Sequence, residues 1–372
     1  VAPVVFVEPP LWLAGIARQP ALLRAHWRRL LSRSRSAGGS LRLFTPLFAP
    51  TALAGDWRDQ LRTQARGLAK DQHLNHPIVL NFDTNWSFVD GLEPSVHAYY
   101  SVDPVIPEPG FEDDERTTCQ DADVIFAISE TYAEQLHALA PDKTPIVIPH
   151  AYAFEEARAI DEDPGYQVPE ELRNLPRPIL GFVGSVHDTY IDIEVVEALA
   201  RDNASGTLVL IGPYRDNPLG DSASAELLAR LHALPNVRLL GPRPFKTVPQ
   251  YVKAFDVAMV LTNLRSADPS LKTRSRTLFK WLIYLSLGKP IVAPNLAEAR
   301  PIGDIVYLNR SPAEYVASVR SALAEPTDLR ARRIVYASQF TFDNALNRLA
   351  SGLAEGMAAR SSLARHAQPG QA

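Results

Sequence analysis

Short apolar runs alternate with helix-period patterns along almost the whole of this chain. That rhythm leaves room for little except parallel sheets with helices on their faces. The first series of runs is Val4 to Val7, Leu41 to Phe44, Ile78 to Asn81, His97 to Ser101, Val124 to Ile128 and Ile146 to Ile148. The second is Ile179 to Val183, Thr207 to Ile211, Val237 to Leu240, Val257 to Leu261, Pro290 to Ala293 and Ile305 to Leu308. Between them, from Phe154 to Pro178, the composition turns to Glu, Asp and Pro, which reads as a linker carrying a short helix. Two such series in 372 residues predict an α/β protein of two doubly wound, Rossmann-like domains facing a cleft, with ligands at the C-terminal ends of the strands. The expected limits are 1–160 and 161–337. A helical stretch over 338–357 is expected to pack back on the first domain, and 358–372 to be a disordered tail.

A formal charge of -4 gives no global reason to expect a nucleic-acid partner. The one cysteine, Cys119, rules out an internal disulfide framework and a cysteine-based zinc site. No apolar run approaches the roughly 18 residues of a membrane span and no signal peptide is visible, so the expected location is the cytoplasm. One segment qualifies this. From Trp12 to Arg35, apolar Trp12, Leu13, Leu22, Leu23, Trp27, Leu30 and Leu31 are mixed with Arg18, Arg24, Arg28, Arg29, Arg33 and Arg35, without an acidic residue. The pattern suits an interfacial helix at the inner face of the cell membrane, and equally an ordinary first helix with a solvated basic face.

Chemistry concentrates between Pro178 and Pro294. The run Ile179 to Val183 stops at Gly184-Ser185 and passes into a helical pattern at Ile193, Val196, Leu199 and Ala200. A strand, a small-residue loop and a helix start make an anion site, because loop amides and the helix N-terminus aim N–H groups at a phosphate. Further along, in order, come Leu210-Ile211-Gly212-Pro213, Leu240-Gly241-Pro242-Arg243-Pro244-Phe245, Phe255-Asp256-Val257-Ala258, Lys280 to Tyr284 and Gly288-Lys289-Pro290. This ordered set resembles the C-terminal domain of GT-B glycosyltransferases, and is most similar to the bacterial cell-surface polysaccharide type, the teichuronic-acid-like transferases. The N-terminal half is similar more weakly, through Val7-Glu8-Pro9-Pro10, Tyr100-Ser101-Val102-Asp103 and Ala122-Asp123-Val124-Ile125-Phe126.

The resemblance implies a nucleotide sugar, UDP-linked, held by the C-terminal domain, a glycan or lipid-linked acceptor held by the N-terminal domain, and no metal or other cofactor. It implies that Gly184, Ser185 and Lys280 meet the diphosphate, and that Arg243, Pro244 and Phe245 meet the base. Arg274 and Arg276, with Lys272, form a basic cluster suited to a phosphate or an acidic sugar. Each has a plainer reading: Gly184 as close packing, Lys280 as an exposed first-turn lysine, Arg243 to Phe245 as a turn, the arginines as solvated charge. Gly288 reads mainly as a helix C-cap.

The resemblance also breaks. Two carboxylates common in retaining enzymes of this type are replaced by Ser275 and Ile283, and no Arg-Lys pair follows the Gly184 loop. An inverting enzyme needs a general base instead. Asp103, beyond the strand ending at Ser101, is the first candidate, with His150 and Asp83 as rivals. Alternatives of the same fold are a sugar-nucleotide epimerase and a non-catalytic nucleotide-sugar-binding partner.

Overall fold

The structure is a computed structural model, and it describes residues 4–7, 11–12, 34–38, 41–49, 56–82, 84, 91–102, 111–188, 190–215, 223–263 and 279–366. The N-terminal strands are β1 (Val4–Val7), β2 (Leu11–Trp12), β3 (Ser34–Gly38), β4 (Leu41–Phe44), β5 (Leu47–Phe48), β6 (Ile78–Asn81), β7 (Val96–Ser101), β8 (Val124–Ala127) and β9 (Ile146–Val147). Strands β6 to β9 form a parallel sheet in sequence order. β1 pairs in parallel with β4, and β3 pairs antiparallel to β4. Helices α1 (Trp57–Asp71), α2 (Phe111–Asp121) and α3 (Glu130–Leu139) lie between strands.

The expected interfacial helix over Trp12 to Arg35 is corrected at both ends: Trp12 is in β2 beside β5, and Arg35 is in β3. Arg35 also donates to Thr45 Oγ1 at 3.3 Å. Edge pairing therefore overrides the helical periodicity there, while 13–33 lie outside the described residues.

The second half contains α4 (Phe154–Glu162), α5 (Glu170–Arg173), β10 (Ile179–Val183), α6 (Ile193–Asp202), β11 (Thr207–Ile211), α7 (Ala225–His232), β12 (Val237–Gly241), α8 (Val248–Ala254), β13 (Val257–Met259), α9 (Phe279–Ser286), β14 (Ile291–Pro294), β15 (Tyr307–Asn309), α10 (Pro312–Leu323), α11 (Asp328–Ala337) and α12 (Phe342–His366). Its sheet runs β12-β11-β10-β13-β14-β15, all parallel, which is the dinucleotide-fold order 3-2-1-4-5-6. Alternation along each strand feeds two cores. Ile179, Val209, Ile211, Ala258 and Ile291 join α4, α8 and α9 on one face. Leu180, Phe182, Leu208, Leu210 and Met259 join α6, α7 and α10 on the other. With both faces covered, these strands read as continuous apolar runs.

Two expected limits move. Phe154 and Ala157 of α4 and Leu172 of α5 belong to the core of the C-terminal domain, so the boundary at 160 falls inside a helix that packs with the C-terminal sheet. The acidic, Pro-rich composition disguised an amphipathic face. At the other end, α12 continues past Ala358 to His366, because Ala, Arg and Leu there are good helix formers and Arg360 pairs with Asp123 at 2.6 Å. This helix lies on the N-terminal sheet. A Cβ at Gly352 would sit 2.6 Å from the Phe126 ring, and one at Gly356 would meet Val124, so only glycine permits the approach. The chain crosses between domains beside Tyr152, whose amide donates to Phe340 O at 2.8 Å and which bridges Thr341.

Three helix C-termini converge beneath the C-terminal sheet, each capped by a cation from the next. Arg158 of α4 donates to Ser286 O of α9 at 3.2 Å. Lys253 of α8 donates to Ile160 O and Asp161 O of α4 at 2.8 and 3.0 Å. Lys289, just beyond α9, donates to Lys253 O in the last turn of α8 and to Phe255 O just past it, at 2.6 and 2.8 Å. Cations at carbonyl ends complement the helix dipoles and satisfy orphan acceptors. The lysine of Gly288-Lys289-Pro290 is thus a structural tie.

In the N-terminal domain a buried carboxyl, Glu115 of α2, accepts from Tyr99 Oη at 3.0 Å and Ser101 Oγ at 3.5 Å near the C-terminal end of β7. Burial raises its pKa, and the two hydroxyl donors only partly counter this.

Replacing Lys289 by Met should cost roughly 2 to 4 kcal/mol, because two helix-terminal carbonyls lose their donor. Burial lowers the Lys289 ammonium to about 8. From there up to its ordinary value the unfolded chain binds a proton that the folded chain does not, so wild-type stability relative to Lys289→Met should rise with pH across that interval in denaturant titrations. Glu115→Gln tests the opposite sign. A carboxyl raised by folding contributes stability at low pH that is lost as pH climbs, so wild type should weaken relative to Glu115→Gln above the ordinary carboxylate range.

Candidate functional site

The order of the C-terminal sheet places a crevice where β10 and β13 adjoin, since connections leave these two strands in opposite directions. Gly184 follows β10, Gly212 follows β11 and Gly241 ends β12. Gly184 N–H donates to Ile211 O at 2.8 Å and Gly212 N–H to Gly241 O at 3.0 Å. A Cβ on Gly212 would collide with the carbonyl of Gly184, and φ is +148° there, so the residue has to be glycine for the two turns to pack.

On the open side of Gly184 lies Lys280, in the first turn of α9 and exposed. A Cβ on Gly184 would sit 2.5 Å from Lys280 Nζ and 2.8 Å from the Phe182 ring. The bare α-carbon therefore leaves the space that the ammonium occupies, with Nζ 5.8 Å from the centre of the Phe182 ring. Ser185 comes next. Neither its amide nor its hydroxyl has a hydrogen-bond partner among the described residues.

Helix α9 is fixed to the strands by Tyr284, one turn beyond Lys280. The Tyr284 side chain is 1% exposed, and its Oη accepts from Val183 N at 2.9 Å and donates to Met259 O at 3.5 Å. The far end of α9 closes with Gly288 at φ +63°, its amide bonding to Leu285 O at 2.9 Å while Lys289 N–H reaches Tyr284 O at 2.9 Å. Ile283, one of the two positions at which the expected carboxylates are missing, is 2% exposed and faces the core from α9.

The segment after Ser185 is tied on both sides. Val186 N–H donates to Pro213 O at 2.9 Å, Asp192 N–H to Leu261 O at 2.8 Å, and Asn263 Nδ2 to Asp188 O at 3.3 Å. The Asp188 carboxylate accepts from Ser224 N at 2.9 Å and Ser224 Oγ at 2.6 Å. Burial would raise Asp188, but these donors hold it below the usual carboxylate range. One expectation is corrected here. The N-terminus of α6 is already capped, because Asp192 Oδ1 accepts from Glu194 N and Val195 N at 3.2 and 3.3 Å. A carboxylate occupies the place where that helix would meet a phosphate.

Arg243 follows β12, two strands from Gly184, and is engaged by the protein. It donates to Glu171 Oε1 at 3.0 Å, Tyr251 Oη at 3.1 Å and Leu240 O at 2.6 Å. Pro244 precedes a single 3-10 turn, and Phe245 is 53% exposed with its ring edge-on to Tyr152 at 6.3 Å. His150 is half-buried between β9 and α4, two residues beyond Ile148, whose carbonyl accepts from Tyr100 Oη at 2.6 Å. Asp83, Asp103, Lys272, Arg274, Ser275 and Arg276 lie outside the described residues. The structure thus brings Gly184, Ser185 and Lys280 together, with Arg243 to Phe245 further along the same strand ends. Sequence reasoning missed Tyr284 and Asp192. The first was visible only as a tyrosine four positions after Lys280, the second as an Asp before a helical pattern. Among the described residues, no group of three or more His, Cys, Asp or Glu side chains is placed to hold a metal, and no helix is long and apolar enough to cross a membrane.

No family model matches the chain. A segment of 118 residues is 30% identical to TuaH of Bacillus subtilis (strain 168), a glycosyltransferase assigned by name to teichuronic acid biosynthesis. That segment is 32% of this chain and spans 27% of the relative, about a quarter of its length. Solved structures are similar over nearly the full length. A glycosyltransferase from Rickettsia africae ESF-5 superposes with TM-score 0.65 at 12% identity, covering 96% of this chain and 99% of that one. An α,α-trehalose 6-phosphate synthase from Burkholderia multivorans gives TM-score 0.65 at 12% identity over 100% of both chains. Anabaena Alr3699/HepE in complex with UDP gives 0.62 at 15% identity, covering 90% and 89%. The chain accordingly has the fold of the GT-B glycosyltransferases, two Rossmann-like domains joined at Tyr152 and Thr341.

Proposed function

We propose that this chain is a glycosyltransferase that moves a sugar from a UDP-sugar to a glycan or lipid-linked acceptor in cell-surface polysaccharide synthesis. One observation carries the reading: the Lys280 ammonium stands over the bare α-carbon of Gly184, the residue before Ser185, at the switch point of a dinucleotide-type sheet. These are donors to a diphosphate, the charge that grows as the glycosidic bond to the nucleotide breaks. In this reading the cation and the loop donors do the work that a metal does elsewhere, and the reaction needs no metal. The HepE complex with UDP supports a uridine nucleotide, and the name of the Bacillus relative supports the polysaccharide setting.

The roles divide by position. Gly184 keeps the diphosphate pocket open, and Ser185 and Lys280 hold the leaving group. Arg274 and Arg276 are the candidates to pair with a phosphate or an acidic sugar. The backbone of Arg243 and Pro244 and the exposed ring of Phe245 meet the base, while the Arg243 guanidinium stays with Glu171. Asp103, His150 and Asp83 follow N-terminal strands and are the candidate bases that take the acceptor proton. The basic stretch from Trp12 to Arg35 is the candidate contact with anionic lipid around a lipid-linked acceptor, at the inner face of the membrane.

Calorimetry with UDP, together with UDP release from a panel of UDP-sugars with and without acceptor, tests this directly. Lys280→Ala should weaken UDP binding about 10- to 150-fold, the range of a hydrogen bond to a charged group, without lowering the melting temperature. A wild-type chain that neither binds UDP nor releases it from any donor would overturn the proposal.

A further inference from the structure

Tyr284 is buried in the C-terminal core, yet its hydroxyl reaches both strands that flank the switch point. It accepts from Val183 N–H, the last residue of β10, and donates to Met259 O, the last residue of β13. The phenol is thus a crosspiece between the two strand ends, held protonated by complete burial. Its α-carbon lies one helical turn from that of Lys280, on the same side of α9. Val183 is joined directly to Gly184, the residue over which the Lys280 ammonium stands.

We propose that Tyr284 is a positioning residue for the donor site: its hydroxyl sets the height of α9 against the β10 turn, and so places Lys280 Nζ at the diphosphate. This rests on the donor-site reading given above. A phenylalanine would fill the same apolar space, so the hydroxyl is not required for packing. What the hydroxyl adds is a fixed distance between the helix that carries the cation and the strand that carries the Gly184-Ser185 donors. Loss of one oxygen removes the acceptor that α9 offers to the part-buried Val183 N–H, and the turn can then move away from α9. Lys280 is carried on the first turn of α9, so a shift of that helix against β10 shifts the ammonium with it.

A double-mutant cycle on UDP affinity separates this from a merely structural role. Tyr284→Phe should weaken UDP binding about three- to tenfold, the range of one net hydrogen bond. In the Lys280→Ala background the same change should have no further effect, because its consequence passes through the ammonium. Equal losses in both backgrounds would assign Tyr284 to stability alone and overturn the proposal, as would an unchanged affinity for Tyr284→Phe. Melting temperatures of all four proteins are measured alongside. A readout without substitution keeps the idea testable if Tyr284→Phe does not fold: exchange of the Val183 amide should slow several-fold on adding UDP, and more than that of Val209 in the sheet interior. No difference between the two amides would contradict the coupling. If the unaltered chain does not bind UDP at all, the donor-site reading falls first and this inference falls with it, whereas binding lost in Lys280→Ala but kept in Tyr284→Phe overturns this inference alone.

Discussion

A parallel sheet ordered β12-β11-β10-β13-β14-β15 has one place where neighbouring strands send their connections to opposite faces, between β10 and β13. A crevice opens there because no connection crosses it. Everything that makes this chain a candidate for nucleotide chemistry is arranged around that gap. β10 brings Gly184 and Ser185 to one lip, and the segment after β13 brings α9 and Lys280 to the other. The apolar runs cover both faces of the sheet with helices, which makes the scaffold rigid. The glycines at its strand ends let the turns pack closely enough to present main-chain donors.

Electrostatics follows from this backbone arrangement. The helix that by sequence is the natural phosphate partner, α6, has its N-terminus satisfied by Asp192, so it contributes structure and no anion site. Positive charge at the crevice comes instead from α9. Other basic groups near the core have been diverted to carbonyls: Arg158, Lys253 and Lys289 each cap the C-terminus of a neighbouring helix. That ring of caps makes α4 part of the C-terminal domain and leaves Tyr152 and Thr341 as the place where the two domains join. On the other side α12 is seated on the N-terminal sheet through Gly352 and Gly356.

Much of the fold was legible because its signals are local. Ile179 to Val183 and Thr207 to Ile211 read as buried strands since alternate residues serve two cores, so no polar residue interrupts them. Short edge pairs such as Leu11-Trp12 with Leu47-Phe48 carry too few residues to show a period. Gly184, Ser185 and Lys280 could be picked out by order along the chain. Tyr284 and Lys289 could not, because their partners are remote: the Tyr284 bond to Val183 spans 101 positions, and Lys289 finds two carbonyls only once α8 and α9 have packed. The domain limit is hidden for a similar reason. Glu, Asp and Pro around 154–178 look like a solvated linker until Phe154, Ala157 and Leu172 are seen beneath it.

The proposed place of the diphosphate is between the β10 turn and α9. A crystal structure with UDP bound tests it most directly. In it, β-phosphate oxygens should lie about 3 Å from both the Ser185 amide and Lys280 Nζ, with the uracil toward Pro244 and Phe245. UDP bound elsewhere, or bound there with Lys280 turned to solvent and the Ser185 amide empty, would contradict it.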